Sequence, residues 1–333
     1  MADGSIVDRG RTTGTLSCLA KHFSNENEAR ALLERLRWPD GPACPRCGGD
    51  APYRLKPKAS GKNPARQGLF KCRACKRQFS STTGTIFEST HVPLSKWLLA
   101  IHLLASSKKG ISAHQLHRML GVTYRAAWFM AHRLRYAMAE DGMLTKLSGI
   151  VEADETYVGG RRRIGPTNKA DREKLATGRP GPKDKKLTPV VALVERRGRA
   201  RIFPVDRIDG RTLQDAIRAR VHLNAHMMTD DLKSYHGLDM GFSGHDTIKH
   251  SEKKYVDGHI HTNTVEGVFS LLKRGINGAF HHVSKGHLHR YCSEFEFRYN
   301  RRKMSDGERA ADMVLGAEAK RLTYKPGTRD SAA

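Results

Sequence analysis

Two Cys-x-x-Cys pairs, Cys44-Pro-Arg-Cys47 and Cys72-Arg-Ala-Cys75, constrain this chain more than any other feature. Each pair sets two thiolates on one tight turn, and together they complete a tetrahedral shell. The 24 residues between Cys47 and Cys72 are slightly more than the common spacing, and Gly48 suits the turn after the first pair. Four thiolates leave no open position for water, so one structural Zn²⁺ is expected, without chemistry of its own. Redox or simply buried thiols are the competing reading. The isolated Cys18 and Cys292 read as small apolar residues.

Lys and Arg number 59 against 34 Asp and Glu, a formal charge of +25 over 333 residues. That balance favours a polyanionic partner, nucleic acid ahead of an acidic membrane surface. The longest apolar run, Trp97 to Leu104, is interrupted by His102 and is too short to span a bilayer. The opening MADGSIVDRGRTTG has no export pattern, so a reducing cytoplasm and no membrane partner are expected.

The length allows two or three domains. Residues 1–20 and 316–333 read as a disordered N-terminus and a C-terminal tail. Residues 21–90 hold a helix with Ala29, Leu32, Leu33 and Leu36 on one face, stopped by Trp38-Pro-Asp-Gly41, and then the cysteine ribbon. Nine Lys or Arg and no acid fall between residues 51 and 87, a basic surface suited to DNA or merely to water.

Residues 91–142 read as three helices, with Gly121 turning the second into the third: a helix-turn-helix. In the third, Ala127, Met130, Leu134, Ala137 and Met138 share one face, and Arg125, Trp128, His132 and Arg135 the other. Tyr124, Arg125, Trp128 and Arg135 are the candidate DNA contacts.

From residue 143 to 315 the pattern is three strands, a helix, a strand, another strand and helices, the element order of an RNase H-like mixed α/β fold. An insertion at 160–186, with ten basic and three acidic residues, carries Arg161, Arg162 and Arg163 as candidate phosphate contacts.

Three acids fall where such a fold would converge them: Asp154 in VEADETYVGG, Asp230 in HMMTDDLKSY and Glu266 in HTNTVEGVFSLLKRG. Converging carboxylates hold two Mg²⁺ or Mn²⁺ ions around a phosphodiester. Alternatives stay open at each. Asp154 has Glu152 and Glu155 as neighbours, and Asp230 has Asp231. Asn263 is either the N-cap partner of Glu266 or itself the third ligand. Lys273, seven residues after Glu266, and Arg274 offer cations beside the metal site. The histidines at 259, 261, 281, 282, 287 and 289 lack convincing metal spacing and are assigned to DNA or structural contacts.

Taken together, the CPRCG and CRAC knuckles, KKGISAHQLHRMLGVTYRAAWFMAHRLR, VEADETYVGG, TDDLKSY, HTNTVEGVFSLLKRGINGAFHHVS and EFEFRYNRR make residues 25 to 315 resemble zinc-ribbon DDE transposases of bacterial insertion sequences, the ISXO-like group. The resemblance implies an enzyme that binds terminal inverted repeats, cuts their 3′ ends and joins them to target DNA. It implies a homo-oligomer on paired ends of double-stranded DNA, with Asp154, Asp230 and Glu266 as metal ligands. Since members carry Asn at the third position in some cases, Asn263 remains its alternative. A non-enzymatic zinc and helix-turn-helix regulator derived from such a transposase is the other reading.

Overall fold

A computed structural model describes residues 24–56, 67–140, 146–159, 187–248 and 256–323. The chain forms two compact units, Met1–Glu140 with Arg301–Ala333, and Asp141–Asn300. The insertion at 160–186, with Arg161, Arg162 and Arg163, lies outside the described residues, as do the first 23.

The first unit opens with α1 (Glu26–Arg37), whose Asn25 side chain caps the Asn27 N–H. Of the four apolar residues the helical spacing puts on one face, Ala29, Leu32 and Leu33 are buried, while Leu36 is half-buried and Arg37 is buried after it. The antiparallel strands β1 (Pro52–Arg54), β2 (Leu69–Cys72) and β3 (Gln78–Ser80) follow. Trp38, Phe70 and Phe79 pack edge to face and stacked, with centroids 5.5–5.9 Å apart, so the ribbon has only a small aromatic core beside its cysteines.

Helices α2 (Leu94–Ser106), α3 (Ala113–Leu120) and α4 (Tyr124–Met138) come next. Ser112 and Thr123 cap α3 and α4 through their hydroxyls, and Gly121, at φ 59°, makes the left-handed turn between them. The three-residue connection is the expected helix-turn-helix geometry.

The second unit centres on a five-stranded sheet in the order β6-β5-β4-β7-β8. Its strands are β4 (Ile150–Val158), β5 (Thr188–Glu195), β6 (Ala200–Pro204), β7 (His226–Asp230) and β8 (Gly244–Ile248). The pairs β4–β5 and β5–β6 are antiparallel, and β4–β7 and β7–β8 are parallel. With the first strand central beside the fourth, this is the RNase H-like arrangement.

Helix α5 (Gly210–Arg220) covers one face of the sheet through Leu213 and Ile217, against Val151, Ala153, Val191 and Leu193. A short hairpin, β9 (Val256–Asp257) and β10 (Ile260–His261), leads into α6 (Asn263–Gly275). Helices α6 and α7 (Lys285–Asn300) cover the other face, where Val265, Phe269, Leu272, Leu288 and Phe295 meet Val190, Ala192 and Val194. A π turn, Ile276–Phe280, joins the two helices.

The unit built on the five-stranded sheet, expected to run to 315, ends at Asn300, and the remaining described segment packs as part of the first unit. Helix α8 (Asp306–Leu315), capped by the reciprocal Ser305–Glu308 box, buries Met313 and Val314 and packs with α1, α2 and α4. The carbonyl of Ala317 accepts from Ile86 N at 3.2 Å, and Glu318 accepts from Arg37 Nε at 3.1 Å. The buried guanidinium of Arg133 donates to the carbonyls of Ile86 and Leu322. Which core such a C-terminal helix joins is not recorded in its local sequence.

Candidate metal centres and active site

In the ribbon, Cys44 Sγ lies 3.7 Å from Cys75 Sγ and Cys47 Sγ 3.6 Å from Cys72 Sγ, and all four sulfurs fall within 4.8 Å of one another. A tetrahedral zinc with bonds of about 2.3 Å needs sulfurs about 3.8 Å apart, so the thiols fit the ion. The two knuckles repeat one backbone design. Gly48 N donates to Cys44 O and Lys76 N to Cys72 O, with Gly48 at φ 72° and Lys76 at φ 60°.

The thiols cannot ionise independently at this distance. The Cys75 backbone N–H outweighs burial and brings Cys72 down to about 7. Cys47, although the Gly49 N–H acts to lower it, is pushed up to about 11 by the neighbouring thiols. A bound cation would relieve that conflict.

Asp154 sits on β4 and Asp230 at the end of β7. The β4–β7 pairing stops at Glu152 with Met228, two residues before both acids, so they stand at the mouth of parting strands. Carboxylate oxygens of Asp154, Glu155 and Asp230 lie within 4.8 Å of one another, close enough to share an ion. Asp154, Glu155 and Glu266 line a cavity of about 670 Å³, with Ser270, Lys273 and Arg274 of α6 and Asn277 of the π turn.

Burial pushes Asp154 up to about 7, and the carboxylates of Glu155, Asp230 and Glu266 add to it, against a 2.7 Å hydrogen bond from Glu155 N. Burial also raises Glu155, whose Oε2 accepts from the Tyr235 hydroxyl at 2.7 Å. Packing repelling carboxylates into one half-buried cleft is sensible where a cation is to be held.

Asn263 is not the N-cap. Thr262 takes that place without a side-chain bond, and Asn263 is the first helical residue, exposed and away from the cavity lining. The capping is done from outside the segment: Glu152 Oε2 accepts from Thr264 N at 2.8 Å and Val265 N at 3.1 Å. A rule confined to neighbours in sequence cannot find such a cap. Strand alternation puts the adjacent Asp154 and Glu155 on opposite faces, so the sequence offers Glu155 only in place of Asp154; the opening beyond Glu152 lets both reach one space.

Among the candidate DNA contacts, Tyr124 is exposed and stacks on His114 at 4.3 Å, Arg125 is exposed, and Trp128 is half-buried against His132 at 4.1 Å. Arg135 is a correction. It is 2% exposed and His132 1%, because α4 packs with both α3 and α8 and lacks the broad free face its periodicity suggests. Lys273 and Arg274 are exposed on α6. No histidine joins a metal-sized cluster among the described residues.

Two family models match the chain: a transposase zinc-ribbon domain over residues 24–78 and an ISXO2-like transposase domain over residues 146–300. A protein in the transposable element ISH50 of Halobacterium salinarum is 30% identical over 84% of this chain and 92% of its own length. A transposase-like protein of Haemophilus influenzae is 29% identical over 29% of this chain and 76% of its own. The solved Mos1 transposase paired-end complex with the left transposon end covers 63% of this chain and 78% of its own, at 13% identity and a TM-score of 0.21, too slight a likeness to carry an argument. With both domains in order and a relative aligned nearly end to end, this chain belongs to the ISXO2-like, zinc-ribbon DDE transposases of insertion sequences.

Proposed function

We propose that this transposase cuts DNA at the terminal inverted repeats of its own element and joins the freed 3′ ends to target DNA, acting as a homo-oligomer in the cytoplasm. The observation that carries the reading is the convergence of carboxylate oxygens of Asp154, Glu155 and Asp230 within 4.8 Å, with Asp154 and Glu155 also lining a cavity that Glu266 borders. Asp154 and Asp230 would hold divalent ions, with Glu266 the third protein ligand and Glu155 beside them. When bound, Mg²⁺ or Mn²⁺ activates the attacking hydroxyl or water and neutralises charge on the leaving oxygen. Lys273 and Arg274 on the cavity's α6 side would hold the DNA backbone across it, and Asn277 offers a further polar contact. Tyr124 and Arg125, exposed at the start of α4, would read the groove, with Trp128 beside them.

The test is cleavage of DNA carrying the inverted repeats that flank the reading frame. Asp230→Ala should bind that DNA and leave it uncut in Mg²⁺; cutting at the unmodified rate would rule the mechanism out. Selective binding by the unmodified chain, with no cleavage in Mg²⁺ or Mn²⁺, would favour the regulator.

A further inference from the structure

Glu152 has no exposed surface, and a carboxylate so placed needs its charge answered. Arg196 Nε approaches Oε1 at 2.7 Å, and the first turn of α6 supplies Thr264 N at 2.8 Å, Thr264 Oγ1 at 2.9 Å and Val265 N at 3.1 Å. His261 Nδ1 stands 3.3 Å from Oε1, near enough for an ion pair although not aligned for a hydrogen bond. The positive end of the α6 dipole adds to this balance.

The rest of Arg196 is also committed. Nη1 donates to His259 O at 2.7 Å, Nη2 to His261 O at 2.9 Å, and Nη2 lies 3.0 Å from Met228 Sδ. Each anchor is close to one acid of the active site. Glu152 precedes Asp154 by two residues on the same face of β4, Met228 precedes Asp230 by two on β7, and Val265 immediately precedes Glu266 on α6.

We infer that Glu152 and Arg196 form a positioning clamp that sets β4, β7 and the start of α6 in the register that brings Asp154 beside Asp230 and places Glu266 on the cavity that Asp154 lines. Neither side chain lines the cavity, so the pair acts through the residues it holds. The physical need is clear: β4 and β7 stop pairing at Glu152 and Met228, so no ladder bond fixes Asp154 against Asp230 beyond that point. The clamp grips at the last paired rung. It adds directional polar bonds to the apolar packing of α6, a non-directional force that constrains sliding along the sheet less.

The inference rests on the metal-dependent reading above, and its test separates the two. Glu152→Gln keeps one acceptor oxygen and the side-chain shape while removing the charge that holds Arg196; Arg196→Lys keeps a charge and removes the forked contacts. In the metal-free full-length protein, either change should speed amide exchange over residues 263–268. Mn²⁺ affinity, read by electron paramagnetic resonance, should fall roughly 10-fold, and cleavage at saturating DNA about 10–100-fold, with DNA affinity kept. A folded variant that binds Mn²⁺ and cuts within about twofold of the unmodified chain overturns the clamp. So does a loss of cleavage equal to the fraction unfolded in calorimetry. If Asp230→Ala also cuts normally, the metal mechanism itself is wrong; if only the clamp variants cut normally, the clamp alone is.

Discussion

Replacing Asp154 with Asn should stabilise the metal-free protein while disabling it. Asp154 is pushed from 3.8 up to about 7, first by burial and then by Glu155, Asp230 and Glu266. Such a rise corresponds to about 4 kcal/mol at 1.36 kcal/mol per pH unit. Water and counterions entering the open cavity screen part of it, so about 2 kcal/mol is the working figure. The sign follows from the native state holding its proton more tightly than the unfolded chain. That stability is complete below pH 3.8, declines as pH rises, and is lost above pH 7.

At pH 8, without divalent metal, Asp154→Asn should therefore melt about 4–8 °C higher in the transition of the 160-residue unit Asp141–Asn300, and the gap should close as pH falls toward 4. Excess Mn²⁺ should raise the unmodified chain by mass action and leave the variant in place. Scanning calorimetry is the assay, because Trp38, Trp97 and Trp128 all belong to the other unit and fluorescence would miss the transition. A variant melting at or below the unmodified chain at pH 8 without metal would refute the account of Asp154 as a strained, cation-seeking carboxylate.

Two further outcomes follow from the geometry. Cys72→Ser should drop bound zinc from one ion per chain to none and unfold the ribbon, whose aromatic core is small, while the calorimetric transition of residues 141–300 stays; retained zinc by metal analysis would remove the four-thiolate site. Lys273→Ala and Arg274→Ala should each lower the slope of log DNA affinity against log salt by about 1, while Arg135→Ala, buried, should leave that slope unchanged and lower stability instead. A slope unchanged in both Lys273→Ala and Arg274→Ala would remove α6 from the DNA path.

Much of this molecule is legible without coordinates because its signals are local. The Cys-x-x-Cys turns carry their own geometry in four residues, and Ser112, Gly121 and Thr123 punctuate α3 and α4 as side-chain caps and a left-handed turn require. The alternation that marks β4 also places Asp154 on the α6 face, since Val158 of that face packs with Val265 and Phe269.

The sequence by itself therefore determined the five strands of the main sheet with the helices that follow them, the thiolate set and the acids worth testing, each encoded within a few residues of itself. Tertiary structure alone decided the rest. Arg135 is buried because α4 has two helical neighbours, and the C-terminal helix belongs to the first unit because its apolar stripe finds α2 there. Asn263 yields the capping role because Glu152, 112 residues before Thr264 in the chain, reaches the α6 amides. Such pairings depend on which distant surfaces meet, and side-chain periodicity records that a face is apolar without recording its partner.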